Sequence, residues 1–235
     1  MIKFFLYAFL LLGFSPLFSQ DARQQLIDDA AIEYFQNAGN QATIFYGKQQ
    51  EGIPRTTNHS YLVDEQHVKA RLSYHNVIYP EAMLRLDLYR NEMIVQSPEL
   101  RSFVLFPEHF DYAELHGYHI IYFQRDSLPG CPSTGYYILL HSENYKVFKR
   151  QRAILMHDSK LNTISNYYTF TTNYFLFKDD EYHTIRNKRG LLNALHPYKK
   201  ELKQFISSHK WRFKRDADIL IAHTIKEYEK LTGLR

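Results

Sequence analysis

Glu108-His-Phe-Asp-Tyr-Ala-Glu-Leu-His-Gly-Tyr-His119 holds three histidines and three carboxylates within twelve residues. Imidazole nitrogens and carboxylate oxygens are zinc donors, and zinc needs three or four of them at about 2.0–2.2 Å. On a strand, Glu114 and His116 would share a face, and Gly117 would let His119 approach. No recognised spacing such as His-Glu-x-x-His is present, so the segment reads as a polar hairpin connection in a chain with twelve histidines. Cys131 lies in Ser127-Leu-Pro-Gly-Cys-Pro-Ser-Thr-Gly135, a loop by composition. A catalytic thiol needs a base or a positive field beside it, and the flanking prolines supply neither. Gly130–Gly135 lacks the lysine of a phosphate-binding loop, and its prolines remove backbone donors. There is no Gly-x-Ser-x-Gly, and paired carboxylates for glycoside hydrolysis cannot be located from spacing in one chain. These residues assign no catalytic, cofactor-binding or metal-ligating position, and no cofactor is expected.

Two other groupings invite binding chemistry. Lys199, Lys200, Lys203, Lys210, Arg212, Lys214 and Arg215 would suit anionic lipid or phosphate, with Trp211 as an interfacial anchor. Interspersed Glu201, Asp216 and Asp218 favour a solvated helix face instead. The aromatics of Tyr167–Phe177 would stack sugars or peptides if exposed; in strands such residues more often pair across the sheet as core.

The first residues give an address. One cation at Lys3 precedes an apolar run from Phe4 to Phe14, a break at Ser15-Pro16 and small Ser19 before the polar Gln20–Gln25. That is the layout of a secretory signal peptide, with a run shorter than the roughly 20 residues needed to span a bilayer. The expected organisation is therefore a signal at 1–19 and a single β-rich domain at 20–235, whose segment from about 187 to 235 is helical. The expected localisation is exported, periplasmic or extracellular, with no transmembrane span in the mature chain. No cysteine follows the apolar run to accept a lipid, and the lone Cys131 rules out an intramolecular disulfide, which points to a bacterial exported protein. The 235 residues contain 45% hydrophobic and 23% charged residues, enough for a core and against a disordered class. A net charge of +4, one unit of it on Lys3, is too mild for nucleic acid. Aromatic content of 16%, from 19 Tyr and 17 Phe, favours strands.

The elements follow that bias. Ala22–Ala38 suits an amphipathic helix closed by Gly39-Asn40, and Gly47–Asn58 reads as a loop. Val68, Ala70, Leu72 and Tyr74 alternate with His67, Lys69, Arg71 and Ser73, the pattern of a half-buried strand. Leu84, Leu86 and Leu88 alternate likewise, and Arg90-Asn91 turns the chain into Glu92–Gln96. Further strands fit 102–106, 118–124, 136–141, 145–150, 166–171, 174–178 and 181–185, several joined by short polar turns such as Asp179-Asp180. Three helices follow: one or two turns at Arg189–Leu195, one from Pro197 to about Ser208, and one capped by Asp216 and ended by Gly233. The fold class expected is α+β: an antiparallel β-meander of about ten short strands, as a sandwich or partly open barrel, with an N-terminal helix and two or three C-terminal helices packed on it. An outer-membrane barrel would need strands of about 9–11 residues with apolar outer faces, a poor fit to Lys69, Arg71, Arg85 and Asp87.

The Phe45-Tyr46-Gly47 strand end, the Tyr-rich hairpins, the closing Lys199-Lys-Glu-Leu-Lys-Gln-Phe-Ile206 and the Ser-Gln signal ending together resemble a family of uncharacterised exported proteins of Bacteroidota. The resemblance covers most of the mature chain and implies export; it supplies neither an activity nor catalytic residues. The function expected is an exported, non-catalytic binding or scaffolding module of the cell envelope, whose partner is an envelope protein or glycan. The competing expectation is an envelope hydrolase with a dispersed acidic or histidine site.

Overall fold

The computed structural model describes residues 17–52, 54–160 and 163–233. The apolar run Phe4–Phe14 and the Ser15-Pro16 break lie outside the described residues. Helix α1 spans Leu17–Ala38, so it begins five residues before the start read from sequence. It lies against the sheet through Phe35, whose ring packs 5.5 Å from Tyr79 and 5.8 Å from Phe45. Asp28 fixes it further, accepting two hydrogen bonds from the Arg71 guanidinium at 2.6 and 2.9 Å. That guanidinium holds the Asp28 carboxyl below its usual range.

Eleven strands follow: β1 Lys48–Gln49, β2 Val68–Tyr74, β3 Val77–Asp87, β4 Glu92–Gln96, β5 Ser102–Val104, β6 Phe110–Leu115, β7 Tyr118–Phe123, β8 Gly135–His141, β9 Lys146–Lys160, β10 Thr163–Lys178 and β11 Glu181–Ile185. They form one antiparallel sheet in the order β1-β5-β4-β3-β2-β6-β7-β8-β9-β10-β11. The α+β meander is thus present as a single open sheet. Three hairpins turn through two residues with positive φ at both: His75-Asn76, His116-Gly117 and Asp179-Asp180. This is the type I′ requirement, which Asn, Asp and His tolerate better than other non-glycine residues. Two of these hairpins therefore do without the glycines usual at such turns.

The strand list differs from expectation in three places. β6 occupies residues read as a connection, and β1 lies within the segment read as a loop. The pieces read as three short strands between 145 and 178 are one long hairpin, with Tyr167 opposite Met156 and Tyr174 opposite Lys149. Beyond β8 and β11 this hairpin finds other partners. Ala153 N donates to Leu88 O, and Asn58 bonds both the N–H and the C=O of Tyr168.

Helices α2 (Lys188–Ala194), α3 (Lys199–Ser208) and α4 (Phe213–Leu231) close the chain. Asp216 does not begin the last helix. The helix opens at Phe213, and Asp216 marks a kink inside it at φ −118°, ψ 27°, its side chain accepting from Arg212 N. Leu191, Leu192, Leu202, Ile206, Leu220, Ile221 and Ile225 pack on Val147, Leu176 and Ile185 as one core. A larger core joins β2–β8 to Ala153 and Tyr168, and half-buried Leu140 touches both. On the opposite side of β9, Tyr137, Phe148 and Tyr182 pack with Phe123 and Phe175 beneath the 124–134 loop. Arg150, 8% exposed, pins that loop by donating to the carbonyls of Ser133 and Thr134. No helix among the described residues is long and apolar enough to cross a membrane.

Candidate functional site

Chemistry-bearing side chains gather where α4 crosses β8, β9 and β10. Successive residues of a strand face opposite ways, so β9 sends Val147 and Lys149 toward the helices and Phe148 and Arg150 away from them. Lys149 is 7% exposed, and its ammonium donates to Asp218 Oδ2 at 2.6 Å. Tyr174 donates its hydroxyl to Asp218 Oδ1 at 2.7 Å. Both oxygens of Asp218 are thereby occupied. Burial, followed by the bond to this carboxylate, pushes the Tyr174 phenol well above its ordinary range. A cleft of about 540 Å³ opens beside this triad, lined also by Thr172, Phe213 and Lys214. Its buried groups satisfy one another as a hydrogen-bonded ion pair.

Thirteen residues further along the chain from the α4 kink at Asp216, the opposite end of the helix holds a second constellation. Glu229 is 2% exposed. Its Oε1 accepts from Asn144 N at 2.9 Å and Tyr145 N at 3.0 Å, and its Oε2 lies 2.9 Å from His141 Nε2. Exposed Glu143 joins them, and the ligand atoms of His141, Glu143 and Glu229 all lie within 4.8 Å of one another. Strand alternation alone would aim His141 with Tyr137 and Leu139, away from the helices. A bulge between Leu139 and His141 shifts the register, so that His141 stands opposite Val147, which faces the helices. Bulges re-aim side chains in this way.

The third grouping is a groove of about 420 Å³ lined by Lys188, Arg189, Leu192, Lys199 and Lys203. Four cations surround an apolar floor, and no carboxylate lines it among the described residues. Lys199 donates to Asn193 Oδ1 at 2.7 Å. Of the basic residues singled out from sequence, only Lys199 and Lys203 reach this groove. Arg215 pairs with Asp216, and Lys214 borders the Asp218 cleft. Trp211 stacks 4.3 Å from His209 and 5.3 Å from His223, so its ring is committed within the protein.

The Glu108–His119 segment does not converge. His109 sits in a 3₁₀ turn and stacks on His75, with ring centroids 3.6 Å apart. Asp111 accepts from Ser73 and Asn76, and Glu114 pairs across the ladder with His119. His116 lies in the turn at φ 53° rather than on the strand, so the shared face with Glu114 is lost. Cys131 Sγ accepts from Asp126 N at 3.3 Å; burial, then the Asp126 carboxylate, pushes its thiol up, opposite to the shift a nucleophile requires. Of the Tyr167–Phe177 aromatics, Tyr168 and Tyr174 are core, and Phe170 is exposed.

Sequence reasoning passed over His141, Glu143, Glu229, Lys188 and Arg189. The His141-x-Glu143 spacing and the Lys188-Arg189 pair were visible signals, whereas Glu229 carries none. Comparison with protein-family models, with curated proteins and with solved structures gives no match.

Proposed function

We propose that this protein is an exported, non-catalytic binding module of the bacterial cell envelope, docking by its α2–α3 groove onto the phosphate-bearing headgroups of an envelope membrane. The observation that carries the reading is a groove with four cations, a leucine floor and no lining carboxylate. Other cations of this chain do face carboxylates, such as Lys149 with Asp218, Arg71 with Asp28 and Lys69 with Glu81. Lys199 and Lys200 also occupy the first turn of α3, where the helix dipole disfavours positive charge. Cations gathered without a facing carboxylate are available to an external anion. The export address rests on residues 1–19 and on the resemblance to exported Bacteroidota proteins. We take the partner to be a lipid surface rather than an envelope protein or glycan because lysine stems over an apolar floor match a headgroup with its first methylenes.

The competing reading, an envelope hydrolase, has one observation in its favour, the convergence of His141, Glu143 and Glu229. Against it, both Asp218 oxygens already accept hydrogen bonds and the Cys131 thiol is raised.

Cosedimentation with vesicles tests the binding reading. The chain should pellet with phosphatidylglycerol-containing vesicles and not with pure phosphatidylcholine. Each cation near such a surface contributes about 1 kcal/mol, so the Lys188→Glu, Arg189→Glu, Lys203→Glu triple variant should bind at least about tenfold more weakly. Equal binding to both vesicle types, or an unaffected triple variant, would overturn the proposal.

A further inference from the structure

Beyond that role, we propose that His141, Glu143 and Glu229 form a mononuclear site for a divalent transition-metal ion of the zinc class. Three features of the structure support it. The first is convergence: three donors from β8, the β8–β9 turn and α4 bring their ligand atoms within 4.8 Å of one another. A metal accepting both His141 Nε2 and Glu229 Oε2 requires them close together, and they lie 2.9 Å apart.

The second feature is preorganisation. The β8 bulge turns His141 toward α4. Two backbone N–H groups hold Glu229 Oε1, which fixes the carboxylate plane and leaves Oε2 directed at the imidazole. Outer hydrogen bonds of this kind orient metal ligands elsewhere in proteins. The His141 and Glu229 side chains are 8% and 3% exposed, so water competes poorly for the donor atoms.

The third feature is charge. Glu229 lies in the last turns of α4, where the helix carbonyls already make the potential negative. Glu143 adds a second carboxylate. Two neighbouring cations are committed elsewhere: Lys230 pairs with Glu227, and Lys178, over the Tyr145 and Tyr228 rings, pairs with Asp179. Two carboxylates at a helix C-terminus favour a cation between them. One imidazole with two carboxylates suits zinc and its neighbours in the first transition row better than magnesium or calcium, which take oxygen ligands. The metal ligates an unprotonated Nε2 and ionised carboxylates, so ligand protonation competes with binding. Three protein ligands leave at least one coordination position for water.

The test uses the full chain without a histidine tag, stripped with chelator and titrated with Zn²⁺ in a calorimeter. Co²⁺ serves as a second probe through its visible absorption. One ion per chain is expected, with a rise in melting temperature on loading. Glu143 is exposed, so Glu143→Gln should leave the metal-free melting temperature unchanged while weakening affinity by at least about tenfold; His141→Ala should do the same to affinity. The groove variant Lys188→Glu, Lys203→Glu should bind metal normally, which separates this site from the lipid reading. Absence of stoichiometric binding, or binding that Glu143→Gln and His141→Ala leave intact, would overturn the proposal and, in the second case, place the ion on others of the twelve histidines.

Discussion

Asp218 is the carboxylate that keeps a nearly buried ammonium tolerable. Lys149 Nζ has lost its water, and its attraction to Asp218 offsets that loss only while the partner remains. Asp218→Ala should therefore lower the unfolding free energy by about 2–3 kcal/mol, read from urea midpoints. Asp218→Asn should cost less, because an amide oxygen still accepts from Tyr174. His67 reports a different balance. Its Nε2 is buried without a hydrogen-bond partner, as is Nε of neighbouring Arg85. Burial first, and the Arg85 charge second, hold the imidazole down at about 4 against an ordinary 6.5. The unfolded chain thus takes up a proton at a pH where the folded chain refuses it. The His67 contribution to stability is complete above pH 6.5 and drains away as pH falls toward 4. Urea midpoints across that window should fall more steeply for the native chain than for His67→Gln, and parallel curves would refute this account.

The hairpin of β9 and β10 shows at the level of elements what was legible and what was not. The period-two alternation of β2 and β3 is plain because one face of each is core. Residues 169–173 are exposed throughout, and that wet stretch interrupts the apolar alternation, so a continuous strand reads as two. The two-stranded stretch is held instead from the side by Asn58, which acts as a one-residue strand: it donates to Tyr168 O at 2.9 Å and accepts from Tyr168 N at 2.7 Å. Asn58→Ala leaves both backbone groups without that partner and should cost about 1–3 kcal/mol. Amide exchange at Tyr168 should accelerate in step. The same reasoning explains the site residues. Glu108–His119 is dense in donors along the chain, but hairpin geometry spreads them. His141 and Glu229 meet across 88 positions, through a bulge that leaves no mark in residue type. The three helices were legible from their apolar stripes, and the kink at Asp216 was not, because Asp suits a cap and a kink equally.

Across the whole molecule, the two main cores touch through Leu140, so the helical end and the meander should unfold together. Trp211, the single tryptophan, stands in the helical end. Its fluorescence and the far-ultraviolet sheet signal should give coincident urea transitions, and separated midpoints would show two independent units. One further property of the assembled sheet concerns its outermost strands. A long unpaired outer strand is a template on which further copies add. β1 offers two residues only. The free side of β11 is taken by the 124–134 loop, where Tyr182 N donates to Pro129 O at 2.9 Å. Gly130 makes that closure possible: its φ is +70°, and a Cβ there would lie 2.1 Å from Tyr182 O. A Gly130→Val chain would lift the loop and leave β11 bare. Solutions of that variant should scatter light with a lag and seed one another while the native chain stays clear, the single hydrogen atom of Gly130 being what keeps β11 covered.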